Sequence, residues 1–249
     1  MLLAINIGNT NIHLGLFKGE RLRKHYTLGL KKGSSHKLLW AIFKKNKIRD
    51  TLICSVVPRQ TASLARQIKA ISRRRPLIIG KDIIVPIKNL YRNPKQAGSD
   101  RLVNAYAAVR LYGAPLIALD FGTAITFDVI SRKKEYLGGL ILPGLQLCLD
   151  ALSERTALLP EVKLARPREL IGRDTKNAML SGVVYGFAAV VDNLLESIRK
   201  KIGKEAEVIA TGGNAAFIRG YCRNIFRVNQ DLTLIGLKLL YKNWQNDPV

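Results

Sequence analysis

One short turn is written twice in this chain, once in each half. Ala4-Ile5-Asn6-Ile7-Gly8-Asn9-Thr10 near the start is echoed by Ala118-Leu119-Asp120-Phe121-Gly122-Thr123-Ala124 in the middle. Each copy is an apolar strand bearing one polar residue, then a glycine and small polar residues, then a second β-like run (Ile12 to Phe17; Ile125 to Ile130). A glycine at such a corner lets backbone N–H groups approach a ligand closely. One copy is equally well read as a plain hairpin turn. Two copies favour paired cradles that clamp a polyphosphate from both sides, in a nucleotide cleft between two related domains.

The rest of the chain repeats in the same order, strands first and helices after. Strands are expected at Leu2 to Ile7, Ile12 to Phe17, Arg23 to Leu28, Thr51 to Val57 and Leu77 to Ile79, with helices over 36–45, 61–73 and 99–112 and an irregular stretch over 81–97. The second half offers strands over 115–121, 125–130, 136–141 and 207–210. Its helices follow Gly144 and span 174–202, 213–220 and 232–243. Alternating short strands and helices predict an α/β fold. The repeat places one domain over 1–113 and a second over 114–249. In 174–202 the apolar residues Met179, Val183, Phe187, Val190, Val191, Leu194 and Ile198 fall at helical spacing, predicting a helix with a buried face.

Composition removes several classes. No window approaches 18 uninterrupted apolar residues, so no membrane span is expected. The opening residues lack the charged region and cleavage site of a secretory signal. Cys54, Cys148 and Cys222 are scattered without metal-ligand or disulfide spacing, which fits reduced thiols in the cytoplasm. The three histidines all precede residue 40 and are not at ligand spacing. The formal charge of +23 is the unusual number. Its clusters (Lys44-Lys45 with Lys47 and Arg49; Arg73-Arg74-Arg75; Arg132-Lys133-Lys134; Arg199-Lys200-Lys201) sit at apparent helix ends and turns, where cations are well solvated. They lack interleaved aromatics, so they read as solvated surface, with nucleic acid kept as an alternative partner.

A second constellation is Tyr91 followed by Gly98-Ser99-Asp100-Arg101 at the mouth of a helix. Asp100 there reads either as a first-turn residue that favours the helix dipole or as a proton acceptor for a hydroxyl, with Arg101 gripping an anionic group.

The series Ile5 to Asn11, Tyr91 with Gly98 to Arg101, and Asp120 to Ala124 resembles the type III pantothenate kinases. So do Gly138 to Gly144, Ile171 to Thr175 and Thr211-Gly212-Gly213. The resemblance implies two tandem ribonuclease-H-like, actin-like ATPase domains and a homodimer. It also implies transfer of the ATP γ-phosphoryl group to pantothenate, giving 4′-phosphopantothenate on the way to coenzyme A. In the family pattern Asn6, Ile7, Gly8, Asn9, Thr10, Asn11, Ile12 and His13 would hold ATP, with Thr123. Tyr91, Gly98, Ser99, Asp100, Arg101 and Thr175 would bind pantothenate, with Asp100 as proton acceptor. Asp120 would bind a monovalent cation, K⁺ or NH₄⁺, and position 6 would help hold Mg²⁺. The family has Asp at that position and this chain has Asn6. Asp120 and Asp128 are expected to make up part of the lost charge. The alternative implied by Asn6 is a weakened or inactive relative that binds a ligand or nucleic acid.

Overall fold

The computed structural model describes residues 1–30, 35–225 and 227–246. Their contacts divide the chain into two units, Met1–Arg110 with Asp231–Val249, and Leu111–Gln230. The first unit contains β1 (Leu2–Ile7), β2 (Asn11–Lys18), β3 (Arg21–Gly29), α1 (Ser35–Lys45), β4 (Asp50–Ser55), α2 (Pro58–Ser72) and β5 (Leu77–Ile78). The helix α3 (Ser99–Tyr112) runs from it into the start of the second unit. There follow β6 (Leu116–Phe121), β7 (Ala124–Ile130), β8 (Tyr136–Pro143), α4 (Leu145–Arg155), α5 (Thr175–Ile202), β9 (Glu207–Thr211), α6 (Ala215–Ile218) and β10 (Arg227–Val228). The last helix, α7 (Leu232–Asn246), belongs to the first unit.

Both sheets have the same topology. The first runs β3-β2-β1-β4-β5 and the second β8-β7-β6-β9-β10, each a three-stranded antiparallel meander extended by two parallel strands. The duplication read from one turn therefore extends to whole sheets, and the α/β expectation holds for both. The hairpins differ in one detail. Four residues separate the paired Ile7 and Ile12, whereas three separate Phe121 and Ile125.

In the first unit β1 is buried on both faces, as a central strand flanked by helices must be. Leu3, Ile5 and Ile7 pack with Leu39 and Ile42 of α1 and Leu64 and Ile68 of α2. Leu2 and Ala4 face Val103 and Tyr106 of α3 and Leu234, Leu237 and Leu240 of α7. Pro58 opens α2 at a position where its missing N–H is not needed. The second unit packs α4 and α5 on Ile117, Leu119, Phe121, Ile125 and Phe127.

Helix α5 is long and apolar enough to pass a length-and-composition test for a membrane span, with mean hydropathy 1.6, yet half of that window is buried inside the protein. Met179, Leu180, Val183, Val184, Ala188, Val191 and Leu195 supply the core, as the periodicity predicted. Asp174 caps it by accepting the Asn177 N–H at 2.8 Å.

Two features depart from the sequence reading. The two-residue strand β10 was not anticipated, because a strand that short carries no period. The boundary also differs, because 231–246 had been grouped with the second domain. Apolar residues of α7 complete the α3 side of the first sheet, a tertiary preference with no local signature. At Gly236 the approach of α7 to α3 is so close that a Cβ would lie 2.8 Å from Val103 Cγ1 and 2.9 Å from the Val103 carbonyl oxygen. Gly236→Ala is therefore expected to lower the unfolding free energy by about 1–3 kcal/mol despite alanine's better helix propensity, measured by urea denaturation.

Candidate active site

In the first unit the site grows from the end of β1. Asn6 pairs across the sheet with His13 on β2 and with Cys54 on β4. Strand parity sends Asn6 and Cys54 to the α3/α7 side, because Ala4 already faces that way. The Cys54 Sγ lies 3.4 Å from Ser99 Oγ, and that hydroxyl donates to the Ser55 carbonyl at 3.2 Å. These contacts pin the first turn of α3 to the end of β4. Asp100 follows directly, and its carboxylate accepts the Arg101 N–H at 2.8 Å. A Cβ on Gly98 would stand 2.7 Å from Asp100 Oδ1, so glycine there leaves the carboxylate its room.

Burial raises the Asp100 carboxyl above its ordinary value, opposed by its hydrogen bond from the Arg101 N–H and by the Arg101 guanidinium. Burial and the neighbouring Asp100 charge push the Cys54 thiol up to about 12, so it stays protonated. Arg101 is itself buried, and its Nη1 donates to the Tyr91 hydroxyl at 3.5 Å. Tyr91 is delivered by a self-tied loop. Its N–H donates to Asn89 Oδ1 at 3.0 Å, and Asn89 Nδ2 donates to the Pro94 carbonyl at 3.2 Å. Tyr91, Gly98, Ser99, Asp100 and Arg101 are thus brought together as expected.

The nucleotide-side residues divide into two groups. Gly8, Asn9 and Thr10 form the turn, closed by the Gly8 N–H to the Asn11 carbonyl at 2.9 Å. Ile7 and Ile12 point into the core, so only their main chains could meet a ligand. His13 sits beside a second histidine, its Nδ1 3.2 Å from His25 Nε2, and His25 Nδ1 is 2.7 Å from Asp231 Oδ1. Burial and His25 lower the His13 pKa. Asn6 Oδ1 is buried with no hydrogen-bond partner. A lone pair left without a donor suits a cation or a hydrated cation. Asn6 fits such an ion as one neutral oxygen ligand. Among the described residues no group of three His, Cys, Asp or Glu converges on a metal-sized site.

The second unit repeats the frame with other side chains. Asp120 occupies the place of Asn6, paired with Thr126 and Thr211. Here the strand ends meet two glycine-bearing turns. The Gly144 N–H donates to the Thr123 carbonyl at 3.0 Å, and a Cβ on Gly144 would fall 2.3 Å from that oxygen. Gly212 has φ +90°, and its Cβ would fall 2.3 Å from Asp120 Oδ1. Thr211-Gly212 therefore lies directly against the Asp120 carboxylate. Gly144 and Gly212 occur in motifs visible in the sequence, but their contacts with Thr123 and Asp120 were not. Thr175 is the exposed first residue of α5.

One expectation fails. Asp128 is fully buried and accepts hydrogen bonds from the Tyr136 hydroxyl at 2.9 Å and Thr126 Oγ1 at 3.3 Å. It braces β7 against β8 inside the sheet of the second unit, and both of its carboxylate oxygens already accept hydrogen bonds there.

A profile of the type III pantothenate kinase family matches residues 2–197. A type III pantothenate kinase from Moorella thermoacetica is 40% identical over 251 residues, covering 97% of this chain and 99% of its own. Among solved structures, a protein described as a Baf family transcriptional activator from Campylobacter jejuni aligns with TM-score 0.64 and 21% identity, over 98% of this chain and 99% of the other. The ADPNP-bound activator of 2-hydroxyisocaproyl-CoA dehydratase from Clostridium difficile aligns with TM-score 0.55 and 12% identity, over 100% and 98%. At these identities the two structures speak to the fold alone. Family profile, full-length identity and the ordered motifs agree: the chain belongs to the type III pantothenate kinase family.

Proposed function

We propose that this protein is an ATP-dependent kinase that transfers the γ-phosphoryl group to the primary hydroxyl of pantothenate, giving ADP and 4′-phosphopantothenate, the first step towards coenzyme A. The observation that carries this reading is the half-buried Asp100 carboxylate held beside Arg101 and Tyr91 at the first turn of α3. Asp100 accepts the proton of the attacking hydroxyl as the oxygen–phosphorus bond forms and the bond to ADP breaks. Its raised pKa makes it a better base than an exposed aspartate. Arg101, aligned by Tyr91, meets the pantothenate carboxylate, and Ser99 and Thr175 contribute further polar contacts. The turn Gly8-Asn9-Thr10 presents small donors to phosphate oxygens, with Thr123 doing so in the second unit.

A divalent ion supplies charge neutralisation to the transferring group. In this chain Asn6 offers it one oxygen, directly or through water, so the phosphates must hold most of the ion. Asp120 is the residue for a monovalent cation, K⁺ or NH₄⁺. A second copy of the chain is supported by apolar side chains exposed on the second unit, Leu137, Ile141, Leu147 and Val190. Three free cysteines suit a cytoplasmic setting.

Asp100→Asn is expected to lower pantothenate-dependent ADP release by about 10²–10⁴-fold while ATP affinity, measured by titration calorimetry, stays close to that of the parent. Normal turnover in this variant would remove Asp100 from the mechanism. The acid limb of kcat/KM is expected above the ordinary aspartate value of about 3.9 and should vanish with the carboxylate.

Because the folded-state pKa is raised, ionised Asp100 costs stability as pH rises through that value. Asp100→Asn should accordingly melt higher than the parent near neutral pH, with the gap closing in acid.

Asn6→Asp adds a charge that, at roughly 5 Å and an effective dielectric near 20, attracts a divalent ion by about 6 kcal/mol gross. If a third survives desolvation, the Mg²⁺ concentration for half-maximal rate falls by more than about tenfold. An unchanged Mg²⁺ dependence would show that Asn6 does not face the ion.

A further inference from the structure

The kinase reading leaves the protein's charge unexplained, and that charge is concentrated. Between Glu20 and Asp82 the sequence holds 17 Lys and Arg residues against one acid, Asp50. Asp50 is already engaged, accepting a hydrogen bond from the Tyr241 hydroxyl and lying 3.4 Å from Arg49 Nε. Part of this excess gathers around a groove of about 430 Å³ in the first unit, where the end of α1, the turn after it and the end of α2 meet. Lys44, Lys47 and Arg74 line it, together with Trp40 and Phe43. Trp40 and Phe43 already stand beside Lys44 and Lys47 in the chain, and folding adds Arg74 from the end of α2.

Two explanations of the cations can be weighed by magnitude. Basic residues commonly answer the partial negative charge of helix C-termini, about half a unit for each helix. Two helix ends call for about one positive charge, and three cations line the groove. None of the three has a carboxylate partner among the described residues. A positive surplus remains, and it surrounds an aromatic ring.

Trp40 is 50% exposed, with Lys44 Nζ 4.6 Å from its ring centroid. The other apolar residues of the groove, Phe43, Ile48 and Ile71, lean on the core beneath α1 and α2. One exposed ring is enough for a base to stack on, whereas insertion into a lipid surface needs several exposed apolar groups.

We propose that this groove binds single-stranded nucleic acid, with a base stacked on Trp40 and the neighbouring phosphates on Lys44, Lys47 and Arg74. The site is separate from Asp100. Helices α1 and α2 cover one face of the first sheet, and α3 packs on the other. Binding there does not depend on the kinase reaction.

The test uses the full chain and fluorescein-labelled oligo(dT) and oligo(U) of about 20 nucleotides, followed by anisotropy across a salt series. Trp40 and Trp244 are the two tryptophans, so selective tryptophan excitation in a Trp244→Phe background isolates Trp40. Expected are quenching of Trp40 on binding and a loss of about tenfold in affinity for Trp40→Ala. Replacing Lys44, Lys47 and Arg74 together by Gln should make the slope of log K against log salt shallower by about 2. The triple variant should keep the parent's pantothenate-dependent rate, which separates loss of this site from loss of the fold or of the kinase.

No binding at about 50 mM salt would overturn the proposal. So would oligonucleotide binding that ignores both sets of substitutions, which would assign it to the general surface charge. Retention on phosphatidylglycerol vesicles without oligonucleotide binding would reassign the groove to membranes and overturn it equally.

Discussion

The register of β1 between β2 and β4 is the constraint on which the candidate site depends. Side chains alternate along a strand, so a slip of one residue would turn Asn6 into the α1/α2 core and bring an isoleucine to the site. The register cannot slip cheaply, because Leu3, Ile5 and Ile7 fill one core and Leu2 and Ala4 another. Burial of Leu2, Leu3, Ile5 and Ile7, each stabilising by about 1.5–3 kcal/mol, therefore fixes where a single polar side chain points. Cys54 extends the effect. As Asn6's partner on β4 it touches Ser99, and Ser99 sets where α3 begins and hence where Asp100 stands.

The same frame carries different chemistry in the second unit. Positions equivalent to Asn6, His13 and Cys54 hold Asp120, Thr126 and Thr211. In the first unit the strand end is met by a helix N-terminal turn bearing a carboxylate. In the second it is met by glycine-bearing turns that leave no room for a side chain. Acid–base work asks for a desolvated carboxylate, and close backbone packing asks for glycine; each unit has taken one demand. The shared topology supplies the positions, and the residues at the strand ends decide their use.

Much of this was legible in the sequence because it is local. Alternation marked the hairpins, 3.6-residue spacing marked α5, and Gly98-Ser99-Asp100-Arg101 announced itself at a helix start. What was hidden depends on distant pairing. Nothing near Leu232 says that α7 will pack beside α3, and nothing near Cys54 says that its thiol will lie under Ser99. Asp128 misled for the same reason. Its place in the sequence does not show that Tyr136, on the next strand, holds it in the sheet. The groove at the ends of α1 and α2 is a further case, since Trp40 and Arg74 are far apart in the chain and neighbours only after folding.

Asn6 and Asp100 also bear on each other. Two carboxylates in one partly buried corner would compete for protonation unless a cation lay between them, and the pKa of at least one would rise further. With an amide at position 6 the corner holds a single negative charge, partly met by the Arg101 guanidinium and its backbone N–H. On the kinase reading, Asp100 would then ionise with one negative neighbour fewer, and Asn6 would offer a metal an oxygen without a charge. Asn6 Oδ1 remains a buried acceptor without a hydrogen-bond partner at this place. In the proposed kinase, metal binding would then fall mainly to the nucleotide, and proton transfer to Asp100 on α3.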